Sequence, residues 1–196
     1  MDREAKITRV TRETEIALRF NLDGDGRSDI STGLPFMDHM LNLFSAHGLF
    51  DLEIRCKGDI SVDFHHTVED LGICLGSALR DCLGERKGIV RYGEATIPMD
   101  EALARVIIDL SNRPYLAYRV GLSRSMAGTF DVALMKEFFR AVATKGGITM
   151  HADLLFGDDP HHASEAVFKA FARALDKASM REPRLGEKVP STKGVI

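Results

Sequence analysis

Cysteine is scarce in this chain. Cys56, Cys74 and Cys82 are an odd number among 196 residues and share no Cys-x-x-Cys spacing. That argues against a structural zinc site and for reduced core thiols of a cytoplasmic protein. A surplus of charge is missing too. The 26 Lys and Arg against 29 Asp and Glu leave a formal net charge of −3, so nucleic acid is not an expected partner. No apolar run approaches a membrane span. The N-terminus, Met-Asp-Arg-Glu-Ala-Lys, is too charged to open a signal peptide. A chain of this length can bury an ample core, as one domain or as two small ones packed closely.

Histidine is also sparse, at seven residues, yet four of the seven fall in two copies of one signature. His65-His66-Thr67-Val68-Glu69 returns as His161-His162-Ala163-Ser164-Glu165. Each copy opens an apolar-periodic segment that predicts a helix, with Glu one turn beyond both histidines. Adjacent imidazoles on a helix splay by roughly 100°, so a pair is poorly placed to chelate one ion together. Two signatures therefore predict two metal ions. The alternative is a pair of unrelated surface His pairs at helix starts, which a repeated motif in a histidine-poor chain disfavours.

The offset between the signatures, 161 − 65 = 96, is about half the chain, and the surroundings repeat with it. Ile16, Leu18, Phe20 and Leu22 alternate with polar residues into Asp23-Gly24-Asp25-Gly26. Ala104, Val106, Ile108 and Leu110 do the same into Ser111-Asn112-Arg113-Pro114. Each pattern predicts a strand running into a hairpin turn. A helix follows, with Phe36, Met40, Leu43 and Phe44, or Leu134, Phe138 and Val142, on one face. A second strand comes next, carrying Phe50, Leu52, Ile54 and Cys56, or Ile148, Met150, Ala152, Leu154 and Phe156. The His-His helix closes each half. One-sided strands need helices over their buried faces. The expected fold is α/β (α+β): an internal duplication of two similar half-domains with helices packed between two four-stranded mixed β-sheets. The halves span about 1–88 and 89–181, and a Pro-, Gly- and charge-rich stretch, 182–196, reads as an extended tail.

Pseudo-symmetry extends the ligand set. His39 lies early on the first helix, and Glu137 occupies the matching place in the second half (137 − 39 = 98). The sets it suggests are His39, His66 and Glu69 with His161, and Glu137, His162 and Glu165 with His65. His151, on the polar face of a strand, competes with Glu137 for the last position. Imidazole and carboxylate without thiolate suit Mn, Fe, Zn, Co or Ni, and mixed N and O sets of this size favour six-coordinate metals. Asp23 to Asp29 resembles the start of an EF-hand loop, but its twelfth position is Leu34, not a bidentate Glu. Arg91, Arg113, Lys193 and the Ser191 hydroxyl offer what a phosphate monoester needs, fixed charge and hydrogen-bond donors. Nothing in their spacing brings them together.

From end to end, the chain resembles the imidazoleglycerol-phosphate dehydratase family of histidine biosynthesis. The likeness rests on Arg9-Val10-Thr11-Arg12-Glu13-Thr14, Asn21-Leu22-Asp23-Gly24 and Leu34-Pro35-Phe36-Met37-Asp38-His39-Met40. It continues through both His-His signatures, Gly84-Glu85-Arg86-Lys87-Gly88-Ile89, Arg113-Pro114-Tyr115, Phe168 to Ala172, and Ser191-Thr192-Lys193-Gly194-Val195. The resemblance implies a monofunctional hydro-lyase with two Mn²⁺ per subunit, forming a twenty-four-subunit homo-oligomer from trimers with active sites between subunits. It implies His39, His65, His66, Glu69, His161, His162 and Glu165 as metal ligands. Arg91, Arg113, Lys169, Ser191, Thr192 and Lys193 match substrate-binding positions, chiefly a phosphate clamp. Glu13 matches a substrate-site carboxylate, and His47 a residue beside the substrate. Several relatives carry His where this chain has Glu137, which changes the ligand type but keeps a donor.

The implied substrate loses a proton that is not acidic, because no carbonyl neighbours its carbon. Its leaving hydroxyl sits on the carbon attached to the imidazole ring. A metal-bound imidazolate could expel that hydroxyl to give a diazafulvene, whose neighbouring proton a carboxylate can take. Glu13 is the expected acid/base, with Glu69 or Glu165 as the alternative. A dimetal phosphohydrolase is the rival reading; it would show Asp-rich bridging carboxylates rather than a His-rich site. A metal-storage protein would need long bundle helices with Glu-x-x-His motifs, which this chain lacks.

Overall fold

The computed structural model describes residues 3–122 and 125–196. In chain order the elements are β1 (Glu4–Val10), β2 (Thr14–Asn21), β3 (Ser28–Ser31), α1 (Pro35–Gly48), β4 (Asp51–Gly58) and α2 (His65–Leu83). Then come β5 (Tyr92–Met99), β6 (Ala102–Asp109), β7 (Tyr115–Arg119), β8 (Met126–Ala127), β9 (Phe130–Asp131), α3 (Leu134–Gly146), β10 (Thr149–Phe156) and α4 (Pro160–Ser179). The apolar alternation lands where it was expected, except at the end of β10, where a register shift between Leu154 and Phe156 leaves Phe156 exposed. Ile16, Leu18 and Phe20 of β2 and Leu52 and Ile54 of β4 are buried, as are Ala104, Val106 and Ile108 of β6. Strand order is β1-β2-β4-β3 in the first sheet and β5-β6-β10-β7 in the second, so one mixed topology occurs twice.

Neither expected hairpin forms. β3 pairs parallel with β4, not with β2, and β7 pairs parallel with β10, not with β6. The turns at 23–26 and 111–114 instead carry the chain over a later strand that inserts between the two. At the first turn the N–H groups of Asp25 and Arg27 donate to Asp51 Oδ1 at 2.9 and 3.1 Å. The EF-hand-like acidic run is thus a turn organised by a carboxylate from β4.

Helices fill the space between the sheets. α2 lies on β1 and β2, α4 lies on β5 and β6, and the remaining helices cross over: α3 packs on α2, and α1 on α4. One continuous apolar core includes residues of both halves. The α2–α3 crossing is close. A Cβ on Gly72 would meet Phe138 O at 2.5 Å, and one on Gly76 would meet Val142 O at 2.7 Å. Only glycine allows that approach, which brings Arg140 of α3 to 3.9 Å from Glu69 of α2.

All three cysteines are free, and burial pushes the Cys74 and Cys82 thiols up to about 12, which makes them unreactive at neutral pH. The tail is not extended. It turns twice, with Leu185 N donating to Glu182 O and Lys188 N to Leu185 O, each at 3.0 Å. It folds back on the segment joining the halves, where Gly88 N donates to Lys188 O and Glu182 N to Gly88 O, both at 2.9 Å. Its Pro and Gly residues rule out a helix but leave turns open.

Candidate active site

Each His-His signature starts its helix against an aspartate. Asp63 accepts from His65 N at 2.8 Å, and Asp159 accepts from His161 N and His162 N at 2.8 and 2.9 Å. Such side-chain acceptors satisfy the first free N–H groups of a helix and fix where it begins. Within each pair the rings diverge, with planes at 81° and 77° to each other and centroids 6.3 Å apart. The first histidine faces the glutamate one turn on. His161 Nε2 is 3.1 Å from Glu165 Oε1, and His65 Nε2 is 4.0 Å from Glu69 Oε2.

The second histidine turns to a different carboxylate. His66 Nδ1 lies 2.9 Å from Asp59 Oδ2, and His162 Nδ1 lies 2.8 Å from Glu101 Oε2. Those hydrogen bonds raise the pKa of both imidazoles above the ordinary histidine range. A carboxylate on one ring nitrogen orients the other for coordination. Among the described residues, neither Nε2 has a hydrogen-bond partner. Asp59 and Glu101 were not picked out from the sequence, and could not be by spacing: one lies 7 residues and the other 61 from its histidine.

The α1–α4 crossing brings His39 to the second signature. His39 Nε2 is 2.8 Å from Glu165 Oε1, and donor atoms of His39, His161 and Glu165 all lie within 4.8 Å of one another. Two ligands about 2.1 Å from one ion at right angles lie about 3 Å apart, so the two His–Glu distances suit a shared divalent cation. The set is all N and O, as expected. Lys169 Nζ donates to Glu165 Oε2 at 2.7 Å. Burial alone would raise the Glu165 carboxyl, but hydrogen bonds from Lys169, His39 and His161 outweigh it and bring the pKa down to about 2. Glu165 is therefore a carboxylate throughout the working pH range.

Within one chain this grouping differs from the partition drawn from pseudo-symmetry. The carboxylate beside His39 and His161 is Glu165, not Glu69, and His66 is not with them. A glutamate at i+4 serves the first histidine of its own helix, and the helix crossing then decides which outside residue joins. By the same rule Glu69 faces His65 on α2, and Glu137 of α3 is linked to Glu69 through Arg140. Arg140 ion-pairs with Glu137 and lies 3.9 Å from Glu69 Oε1, so this cluster is looser. His151 is not near either cluster. It sits on the outer face of the second sheet, its ring centroid 6.0 Å from that of Tyr115. A run of rings, Phe64–Phe130–Phe36–His161, links the neighbourhoods of the two clusters at centroid distances of 6.2, 5.1 and 5.4 Å.

Glu13 lies in the β1–β2 turn with Oε1 3.8 Å from His66 Nε2. Its N–H donates to Thr11 Oγ1 at 3.1 Å, and its carbonyl accepts from Asp59 N at 3.0 Å. The Asp59 that orients His66 therefore also anchors the turn carrying Glu13. His47 lies near the end of α1 on the side of α4. Burial and then the charges of Lys169 and Arg173 lower its pKa, keeping the ring neutral.

Residues from 91 to 196 converge on one cavity of about 670 Å³, lined among others by Arg91, Arg113, Ser191, Thr192 and Lys193. The fold thus gathers the basic residues that spacing left apart. It adds Lys188, which was not anticipated because only the folding-back of the tail brings it there. Lys169 is not part of this cavity; it stands on α4 one turn beyond Glu165, with Nζ 3.2 Å from Met99 Sδ. Four cations around one concavity make an anion site.

The imidazoleglycerol-phosphate dehydratase family model matches residues 32–175. The imidazoleglycerol-phosphate dehydratases of Geobacter metallireducens and Acetivibrio thermocellus are 55% and 54% identical over 196 residues, covering all of both chains. Among solved structures, the Staphylococcus aureus enzyme of that name superposes with a TM-score of 0.83 at 42% identity, covering 91% of this chain and 99% of its own. IGPD from Pyrococcus furiosus, in complex with (S)-C348, gives 0.83 at 37%, covering 97% and 100%.

Proposed function

The chain belongs to the imidazoleglycerol-phosphate dehydratase family of hydro-lyases, and from that membership we propose that it dehydrates imidazole glycerol phosphate to imidazole acetol phosphate in histidine biosynthesis. The observation that carries the reading is the pairing of a four-cation cavity with the His39, His161 and Glu165 cluster and the His65–Glu69 pair in a chain that matches its relatives over its full length. The cavity suits the phosphate end and the clusters suit the imidazole end. Two Mn²⁺ per subunit fit the donor chemistry: His39, His161 and Glu165 would hold one, and His65, Glu69 and Glu137 the other. When bound, the ions would supply Lewis acidity that eases loss of the ring N–H proton.

The chain's own residues do the rest. Arg91, Arg113, Ser191 and Lys193 hold the phosphate and fix how far the ring can reach. The hydroxyl next to the ring leaves as water with the proton that the ring N–H gives up, and Glu13 takes the proton from the carbon bearing the central hydroxyl and returns it to the ring; the resulting enol becomes the ketone. Among the described residues the Nε2 atoms of His66 and His162 have no hydrogen-bond partner, which supports sites completed between copies. The proposed assembly is a twenty-four-subunit homo-oligomer of trimers. No helix among the described residues is long and apolar enough to cross a membrane, and the proposed location is the cytoplasm.

The test is to incubate the protein, loaded with Mn²⁺, with imidazole glycerol phosphate and to follow ketone and free phosphate together. Ketone without phosphate is the expected outcome; phosphate without ketone would make the protein a phosphohydrolase. The clamp has its own test. Lys193→Ala, or truncation from Pro190, removes a charge-assisted contact of about 1.5–3 kcal/mol. KM for the phosphorylated substrate should rise about 10- to 100-fold. Undiminished binding of inorganic phosphate by the truncated enzyme would place the tail outside the clamp.

A further inference from the structure

Arg91 has a φ of 78°, and Asn112, also lining the cavity, has a φ of 56°. Both are non-glycine residues in the left-handed region, which persists where surrounding contacts over-determine it and is common at ligand clamps. At Arg91 those contacts come from several sides. Its N–H donates to Ala178 O at 2.8 Å, and its carbonyl accepts from Leu110 N at 3.1 Å. Its guanidinium is held by Asp109, with Nε 2.7 Å from Oδ1 and Nη2 3.2 Å from Oδ2, while Nη1 donates to Pro190 O at 2.7 Å.

Asp109 is well placed for this. It ends β6, with its backbone fixed between Tyr92 of β5 and Thr149 of β10. Its Oδ2 also lies 3.9 Å from Nη2 of Arg113. A guanidinium has five N–H donors. Three of Arg91's are engaged by Asp109 and Pro190, leaving one N–H on each terminal nitrogen for an anion. A side chain already held in one rotamer loses little freedom on binding. Against that, a carboxylate beside an anion site is repulsive. The two effects predict opposite signs for removing Asp109, and the geometry favours the first: the other cations outnumber this one carboxylate.

Resting on the reading that this cavity takes the substrate's phosphate, we infer that Asp109 is a positioning residue of the clamp. It fixes the Arg91 guanidinium and, through that guanidinium's hydrogen bond to Pro190 O, the turn that presents Ser191 and Lys193.

The experiment is steady-state kinetics of Asp109→Asn in the Mn²⁺-loaded enzyme, with inorganic phosphate as a competing ligand. KM and the phosphate inhibition constant should rise together by about tenfold or more, with kcat changed less than about threefold. In an Arg91→Ala background, Asp109→Asn should add almost nothing, since the residue acts through Arg91. Unchanged or tightened constants, or an equal loss in both backgrounds, would overturn the inference. Should Asp109→Asn not fold, Asp109→Glu keeps the charge and displaces the fork, so KM must again rise; a normal KM there is equally fatal. A wild-type enzyme that makes ketone while ignoring inorganic phosphate would leave the activity standing and remove the clamp.

Discussion

Glu13→Gln is expected to lose turnover by about 10² or more, about 2.7 kcal/mol of transition-state stabilisation, with little change in KM. The amide keeps the shape and the neighbouring contacts of the carboxylate but cannot accept a proton. The side chain is not remote from the chemistry. Its oxygen is 3.8 Å from His66 Nε2, and Asp59 ties the Glu13 carbonyl and the His66 ring into one rigid unit. Wherever His66 reaches a cation, Glu13 arrives with it. Steady-state kinetics over a substrate range separates the roles: near-normal kcat with a raised KM would make Glu13 a binding residue. In that case Glu69 or Glu165 would be left to take the proton. Hydrogen bonds from Lys169, His39 and His161 outweigh burial and hold Glu165 at about 2, which makes it a poor base.

Removal of the divalent ions should abolish activity and shift the proposed large assembly towards trimers, and Mn²⁺ should restore both best. A ligand that binds only the assembled state stabilises it by RT ln(1 + [L]/Kd), about 2.7 kcal/mol per site when the ligand is at about 100 Kd. Each subunit would contribute to several such sites, so the effect accumulates around the shell. His162→Ala should resist reassembly, because its Nε2 has no other use among the described residues. Lys57→Ala, on the exposed face of β4, should reassemble normally. Size-exclusion chromatography with light scattering, before and after EDTA, reads the outcome, and elemental analysis verifies the metal content. A full-sized shell that survives complete demetallation would show that packing alone holds it; fewer than two ions per active subunit would defeat the two-ion reading.

Much of this molecule can be read locally. The period-two burial of β2, β4, β6 and the first half of β10 and the apolar faces of all four helices follow from spacing, because each central element faces the core along one side and water along the other. The repeated His-His-x-x-Glu signature is also local, since i to i+4 geometry within one helix needs no tertiary information. Edge strands left a fainter trace. In β1 only Ala5 is fully buried, so the apolar alternation that marks a strand is weak there. Parallel pairing was invisible for a related reason: β3 meets β4 only because the intervening helix returns the chain between β2 and β3, which no turn residue encodes.

The ligand partition shows the same divide. A single helix settles that Glu165 faces His161, but the α1–α4 crossing settles that His39 joins them, and the α2–α3 crossing, allowed by Gly72 and Gly76, places Arg140 between Glu137 and Glu69. Helix crossings depend on side-chain interdigitation along two surfaces far apart in sequence, so pseudo-symmetry could nominate the ligands without sorting them. The cavity is the extreme case. Arg91, Arg113 and Lys193 are separately unremarkable charges, and they become one site because the tail folds back on the segment between the halves and Asp109 reaches both arginines. Residue types and helical spacing determine which chemistry is available here; long-range packing determines which groups share it, because a contact between distant residues exists only once the rest of the core has formed.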